Sequence, residues 1–304
     1  SPPVKYAGGN VGNVDGFRLS SATFFFPAGI ASDGVNLYVT DNLNYTVRMI
    51  DPTGDVTTIV GQVGFSSGAP TLGQFTPRGL TLATLPASTT YLYTTDYWNH
   101  TVNQIDTVTG AMTILAGTAG VAGSLDGTGP GAYFRFPEGL CSDGANLFVV
   151  DKDNHRIRMV SIETGSVSTI AGSSAGYLDG TGTAAQFNQP SAVVSDGTYL
   201  YVSDYQNNRI RRIHIASRVV TTLAGDGTQG YVNGNTGSSS RFYGPWGIVY
   251  DGSTYLYVSD YGNHAIRRVH QNTGETRTLA GRGYAYPVYG IGTACLLYTS
   301  PSPR

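Results

Sequence analysis

The stretch YLYVSDYGNHAIRRV, residues 255–269, decides the fold because four near-copies of it occur earlier in the chain. It combines two runs rich in aromatic and β-branched residues, which favour strands, around a polar turn. An Asp ends the first run of each copy at steps of 55, 55, 53 and 56 residues. These residues are Asp41, Asp96, Asp151, Asp204 and Asp260. Such a period predicts a solenoid or a propeller, because one repeat cannot bury its apolar face alone.

The composition agrees with an all-β protein that has many tight turns. Only 12% of the residues are charged, whereas Gly (41) and Tyr (21) are abundant. The formal net charge of −2 gives no electrostatic footprint for nucleic acid, so we expect no nucleic-acid partner. No run of 18 apolar residues exists, which predicts no membrane span. The two cysteines, Cys141 and Cys295, define no disulfide framework and leave the cellular compartment open.

Residues 134–172 show how one repeat is built. The runs GLCS, NLFVV, RIRMVSI and VSTIAG have the composition of short strands. Asp143-Gly144 is a hairpin signal because both residue types tolerate positive φ, and DKDN (151–154) reads as a second turn. Four antiparallel strands and a Gly-rich connection make one propeller blade. The predicted fold class is therefore a β-propeller of four-stranded antiparallel blades with five full repeats.

The same repeat resembles the NHL repeat, on the residues FPEGL (136–140), NLFVVDKDNHRIRMV (146–160) and GSVSTIAG (165–172). The connection GYLDGTGTAAQFNQP (176–190) is similar to linkers between bacterial-type NHL blades. The resemblance covers roughly residues 6–294 and implies a β-propeller, usually six-bladed. It implies no single activity, because NHL propellers serve as binding platforms, RNA readers and sensor ectodomains, and related propellers act as lyases or lactonases.

We predict one propeller domain over residues 1–294, with a partial repeat at each end. The full repeats span about 9–61, 62–117, 118–172, 173–225 and 226–281. If six blades are the rule, the missing strands lie beyond residue 294 and the chain is a fragment. The segment CLLYTSPSPR, residues 295–304, resembles a translated sequencing adapter, so we exclude it from fold reasoning as a non-native tail.

Two recurring residue types favour a structural interpretation over a catalytic one. Each Asp that precedes Gly at a hairpin is interpreted as a turn former, and one Arg per repeat is expected to pair with the recurring Asp. These residues are Asp33, Asp143, Asp196, Asp251, Arg48, Arg158, Arg211 and Arg267. A metal-dependent propeller enzyme would need Asp, Glu, Asn or His on several first strands. The first strands carry none there, so we expect no metal and no cofactor.

Candidate binding residues are those that differ between copies on the face formed by the linkers and the second-to-third turns. Ala28, Arg78, Glu138, Ser191 and Trp246 follow the Pro of each repeat and should ring the channel mouth. Aromatic residues in the turns suit flat binding to sugars or peptides, although many tyrosines could simply pack between blades. The selected residues are Arg78, Glu138, Trp246, Tyr97, Trp98, His100, Tyr205, Tyr261 and His264. The second repeat departs most from the others, with the insertion ATLPASTTY (83–91).

The leading hypothesis is a non-catalytic interaction module of a larger extracellular or cell-surface protein. Its partner would be a protein or carbohydrate ligand on the propeller face, and we expect a monomer. The alternative is a propeller enzyme of the lyase or lactonase type, with catalytic groups partly on the missing blade. RNA binding is a third possibility, which the net charge disfavours.

Overall fold

A computed structural model describes residues 11–17, 21–61, 74–84 and 90–281. Over these residues the chain is an all-β propeller of five blades with four-stranded antiparallel sheets, which confirms the predicted fold class. The described residues fall into two compact units that divide between Thr169 and Ile170. Each is described by itself. The predicted tail, residues 295–304, lies outside the described residues.

Blades 1 to 3 form the first compact unit. Blade 1 contains Gly16–Phe17 (β1), Pro27–Ser32 (β2), Leu37–Asp41 (β3), Thr46–Ile50 (β4) and Asp55–Gly61 (β5). Blade 2 contains Pro77–Thr84 (β6), Thr90–Asp96 (β7), Thr101–Asp106 (β8) and Met112–Ala116 (β9). Blade 3 contains Gly127–Thr128 (β10), Pro137–Ser142 (β11), Asn146–Asp151 (β12), Arg156–Ser161 (β13) and Ser166–Ala171 (β14), the last of which crosses the unit boundary.

Blades 4 and 5 form the second compact unit. Blade 4 contains Gly180–Thr181 (β15), Ala192–Ser195 (β16), Tyr199–Asp204 (β17), Arg209–His214 (β18) and Val219–Ala224 (β19). Blade 5 contains Pro245–Tyr250 (β20), Tyr255–Asp260 (β21), Ala265–His270 (β22) and Thr276–Ala280 (β23). Short 3-10 helices lie at Asn42–Asn44, Gly129–Gly131, Lys152–Asn154, Gly182–Ala184, Tyr205–Asn207, Gly237–Ser239 and Tyr261–Asn263. In blades 1, 3 and 4 a two-residue strand from the preceding linker extends the outer edge of the sheet.

The turns between strands form largely as the sequence predicts. In blade 3 the Asp143 carboxylate accepts hydrogen bonds from the backbone N–H groups of Ala145 (3.0 Å) and Asn146 (2.7 Å). The turn-forming role of this Asp is thereby confirmed, but only Gly144 takes positive φ there, at 94°. The expected turn after Asp151 is a 3-10 helix that ends in a left-handed residue, His155, with φ of 56°.

The apolar core lies between neighbouring blades within each compact unit. In the first unit, Tyr93 and Val102 of blade 2 join Phe134, Leu140 and Val149 of blade 3 in one buried cluster. In the second unit, blades 4 and 5 share a cluster that includes Tyr201, Ile210, Phe242, Ile248 and Leu256. A single twisted sheet cannot cover both of its faces, so each blade obtains its core from the next one.

A buried Asp connects each linker to its blade through hydrogen bonds. In blade 3, Asp151 accepts hydrogen bonds from the backbone N–H of Arg135 (2.7 Å), from Asn154 Nδ2 (2.8 Å) and from Arg158 Nη1 (2.6 Å). The Arg158 side chain is fully buried, and its Nη1 also donates to the Tyr133 carbonyl. The predicted pairing of the recurring Arg with the recurring Asp is therefore confirmed. The other pairs are Arg48–Asp41 (3.0 Å), Arg211–Asp204 (2.8 Å) and Arg267–Asp260 (2.7 Å).

The other end of each buried Arg binds the linker. Arg158 Nη2 donates to Asp126 Oδ1 (2.6 Å), and Asp126 in turn accepts from the backbone N–H of Thr169 on the outer strand (3.0 Å). Arg158 also lies over the Phe134 ring, 5.2 Å from its centroid. One guanidinium thus joins the turn, the linker and the outer strand of a blade, which requires a planar group with several fixed donors.

We predict that Arg211→Met destabilises the protein by about 3–5 kcal/mol, because it leaves the carboxylate of Asp204 buried without its cation. The matched control is Arg241→Met, since Arg241 pairs with Asp226 (2.7 Å) but is 44% exposed. That change should cost below about 1 kcal/mol. Guanidinium denaturation measures both losses in the free energy of unfolding. Equal losses in the free energy of unfolding would contradict the conclusion that the buried Arg–Asp network is what stabilises the blade.

Candidate functional site

Blade 2 lacks the Arg that is buried on the third strand of the other blades. The turn that precedes this strand carries three of the predicted site residues. The equivalent position is Asn103, whose Oδ1 accepts from Thr101 Oγ1 (3.1 Å). The buried carboxylate of Asp96 accepts hydrogen bonds from Thr76 Oγ1 (2.7 Å) and Asn99 Nδ2 (2.8 Å), and in the described part of the chain no Arg pairs with it. Burial raises the pKa of Asp96 above its ordinary value, with the hydrogen bonds opposing this rise. The turn that follows Asp96 is thus fixed by neutral partners.

That turn presents aromatic side chains that meet a phenylalanine from the next linker. Phe136 lies 4.9 Å from Tyr97, 5.1 Å from Trp98 and 4.8 Å from His100, measured between ring centroids. The Phe136 backbone N–H donates to His100 Nδ1 (3.1 Å). Trp98 is 41% exposed, whereas His100 is buried. The rings form a surface of aromatic edges and faces, of the kind that aromatic pairs prefer.

Arg78 adds a cation to this surface. Its guanidinium carbon lies 4.9 Å from the Tyr97 ring centroid and 5.6 Å from that of Phe26. We call Arg78, Tyr97, Trp98, His100 and Phe136 the blade 2 cluster. Burial, with a smaller contribution from the charge of Glu138, raises the pKa of Tyr97 to about 12. The phenol therefore stays protonated near neutral pH and can donate a hydrogen bond.

Glu138 is engaged in an ion pair. Its side chain is 6% exposed, and Oε2 accepts from Lys152 Nζ at 2.6 Å. Lys152 lies on the 3-10 turn of blade 3, with Nζ 5.8 Å from the Tyr97 ring centroid. Glu138 lies near Tyr97 of the blade 2 cluster. Because its carboxylate is paired with Lys152 and nearly buried, it is not accessible as a general acid or base.

The second compact unit holds a separate group, which we call the blade 5 cluster: Tyr205, Trp246 and Tyr261. Trp246 lies 5.1 Å from Tyr205 and 5.9 Å from Tyr261 between ring centroids. His264 ends the same turn as Tyr261 in the left-handed conformation, and its backbone N–H donates to the Tyr261 carbonyl (3.2 Å). Three of the four residues predicted in this unit are therefore in ring contact.

Sequence reasoning missed three residues that the structure places at the blade 2 cluster: Phe26, Phe136 and Lys152. Phe26 and Phe136 directly precede the Pro that opens a blade and have positive φ, 58° and 50°. That backbone conformation is unfavourable for a Phe and rare before Pro. The Phe-Pro pair could have identified Phe26 and Phe136 from the sequence. Lys152 could have been identified because it occupies the same turn position as Tyr97. Whether the predicted residues bind a ligand stays a prediction.

The described residues contain no group of three or more His, Cys, Asp and Glu side chains placed to hold a metal ion. Cys141 is a free thiol whose pKa is raised by burial. Within the same residues, no helix is both long and apolar enough to cross a membrane.

The chain is similar to known NHL-repeat proteins, although no family model matches it. Human NHL repeat-containing protein 2 is 27% identical over 296 residues, which cover 86% of this chain and 41% of the human protein. The protein of the same name from Gallus gallus is 32% identical over 149 residues, 45% of this chain and 20% of that protein. The chain is a β-propeller, and its repeats are similar to those of these NHL-repeat proteins. The chain spans about two fifths of the human relative.

Solved structures share the fold at low sequence identity. An auxiliary nutrient binding protein from Bacteroides ovatus matches with a TM-score of 0.53 and 21% identity, over 87% of this chain and 75% of that one. A chain of a nidogen/laminin complex has a TM-score of 0.57 and 14% identity, over 84% and 81%. A gluconolactonase from Xanthomonas campestris has a TM-score of 0.58 and 12% identity, over 95% and 89%. At these identities the likeness establishes the fold alone.

We predict that Asp96 makes stability depend on pH in a direction opposite to that of an ordinary paired carboxylate. Because its pKa is raised on folding, the folded state binds the proton more tightly than the unfolded state. Stability from this group therefore increases as the pH falls from its raised pKa toward the ordinary value of about 4. Denaturation of the wild type and of Asp96→Asn across this range measures the effect.

The wild type should gain stability relative to Asp96→Asn as the pH is lowered. Taking the difference between the two proteins removes, to first order, the titration of His100, whose pKa is lowered by burial. A difference that stays constant with pH would mean that Asp96 is not the titrating group.

Proposed function

We propose that this chain is a non-catalytic interaction module that binds a protein or carbohydrate ligand through the blade 2 cluster. The observation that carries the proposal is the 41% exposed Trp98, which is supported by Tyr97 and Phe136 beside the Arg78 guanidinium. Rigid aromatic groups offer large contact area at low entropic cost, and Trp, Tyr and Arg are the residues most enriched at binding hot spots.

The location of the cluster supports this proposal. It lies at the end of blade 2 where Asn103 stands in place of the recurring Arg. Residues that serve only the repeat tend to recur, as Arg158 and its equivalents do in blades 1, 3, 4 and 5. Arg78 and Trp98 have no residue of the same type at the equivalent positions of the other blades, so the surface that they form is a candidate for a role specific to this protein. We place the module in a larger extracellular or cell-surface protein, as its low charge and abundant Gly and Tyr favour.

The fold leaves an enzymatic alternative to be tested. The same architecture is found in a nutrient binding protein, in a nidogen/laminin complex and in a gluconolactonase. Propeller architecture is compatible with all three roles, and the distinction depends on the site. In the blade 2 cluster, Glu138 is neutralised by Lys152 and the Nδ1 of His100 accepts a backbone hydrogen bond. These groups hold the surface together, which favours binding over proton transfer.

Intrinsic fluorescence provides the test, because the chain contains only two tryptophans, Trp98 and Trp246. Titration with a panel of oligosaccharides and peptides should give a saturable change in emission for at least one ligand. The change should persist in Trp246→Phe, which retains Trp98 as the single reporter. Trp98→Ala, followed by calorimetry, should weaken binding about tenfold or more.

Two results would count against the proposal. If no panel member changes the emission of the Trp246→Phe variant, the blade 2 cluster is not the binding surface. If the protein opens a sugar lactone in the presence of a divalent cation, and the reaction ceases on chelation, the enzymatic alternative replaces the interaction module.

A further inference from the structure

Arg78 differs from the recurring arginines of the chain in having no carboxylate partner among the described residues. Arg48, Arg158, Arg211 and Arg267 each bind one buried Asp. Arg78 instead lies between two rings, with Tyr97 at 4.9 Å and Phe26 at 5.6 Å. Among the described residues its buried Nε has no hydrogen-bond partner, which is also true of the Nε atoms of Arg211 and Arg267. Such a guanidinium can offer its terminal N–H donors, but not the buried Nε, to a ligand.

The charges around Arg78 do not neutralise it by direct contact. Glu138 is bound to Lys152 at 2.6 Å, and the charge of Asp153 contributes to the raised pKa of Tyr97. The Tyr97 ring therefore has two cations near it: Lys152, 5.8 Å from its centroid and paired with Glu138, and Arg78, at 4.9 Å and with no carboxylate partner in the described part of the chain. Within this cluster, a negatively charged ligand group gains the most binding free energy at Arg78.

A guanidinium and an exposed indole that both contact Tyr97 indicate the class of ligand. Arginine binds a carboxylate through two parallel N–H···O hydrogen bonds, and stacking on aromatic rings fixes the plane of the group. Trp98 stands edge-to-face with both Tyr97 (81°) and Phe136 (86°) and is 41% exposed, so indole surface stays open. A ring with an apolar face and a carboxylate at its edge matches both features. A uronic acid has this shape.

From this geometry we propose that the blade 2 cluster is a subsite for an acidic saccharide. The Arg78 guanidinium binds the carboxylate of a uronic acid, Trp98 contacts the apolar face of the sugar ring, and the protonated Tyr97 hydroxyl donates to a sugar oxygen. This inference rests on the proposed function, because it names the ligand class of the same surface. An acidic peptide would satisfy Arg78 but would leave the indole without a flat ring to cover it.

Calorimetry with four probes tests the inference: trigalacturonate, its methyl ester, a neutral galactose trisaccharide and triglutamate. We expect trigalacturonate to bind, and methyl esterification to weaken binding about tenfold or more, because it removes a charge-assisted hydrogen bond. In Arg78→Gln the acid and its ester should bind equally. Arg78→Lys should keep part of the preference, since it retains the charge but not the planar fork.

Arg241→Gln is the control, because it removes one exposed cation from the other compact unit and leaves the blade 2 cluster intact. It should preserve the preference for the acid. Equal affinity for acid and ester in the wild type, or an unchanged preference in Arg78→Gln, overturns the acidic subsite and leaves the proposed interaction module standing. Binding of triglutamate without trigalacturonate replaces the saccharide by an acidic peptide. Binding of none of the four overturns the inference, and the proposed function fails only if Trp98 also reports no ligand from the wider panel.

Discussion

A buried carboxylate at the end of the second strand is the interaction on which the described structure depends. In blade 3, Asp151 holds the backbone of the preceding linker, the Asn154 amide of its own turn and the Arg158 guanidinium of the third strand. A Gly-rich linker has little apolar surface of its own and is costly to order. One carboxylate with several charge-assisted donors fixes it where packing cannot. The same arrangement recurs in blades 1, 4 and 5.

In blade 2 the fold forms although the buried Asp has no Arg on the third strand to pair with. Asp96 keeps its contacts to Thr76 and Asn99 but has Asn103 where the other blades have Arg. Burial raises the pKa of this carboxylate, and its neutral hydrogen-bond partners oppose the rise. The turn that follows carries Tyr97, Trp98 and His100, so the blade that departs from the shared network also supplies the candidate surface.

The blade 2 cluster combines features that repetition alone does not require. Phe26 and Phe136 hold a left-handed backbone before Pro, and their rings flank Arg78 and Tyr97. Gln189 and Gly244 take the same conformation at equivalent positions, so the strained backbone belongs to the repeat. The Phe side chains are specific to this surface, because Gly would adopt the same backbone conformation without cost. The aromatic rings, together with a guanidinium for which the described residues supply no carboxylate, therefore give the surface its recognition chemistry.

The sequence by itself determined the blades, their strands, the turns after Asp143 and Asp151, and the pairing of the recurring Arg and Asp. These features repeat at a fixed period, and each depends on contacts within one blade and its own linker. Only the tertiary structure decided that Arg78 stacks on Tyr97 and Phe26, and that Glu138 is closed by Lys152. Phe26, Arg78 and Phe136 come from three different repeats. Their meeting depends on how one blade packs on the next, which residue periodicity does not encode.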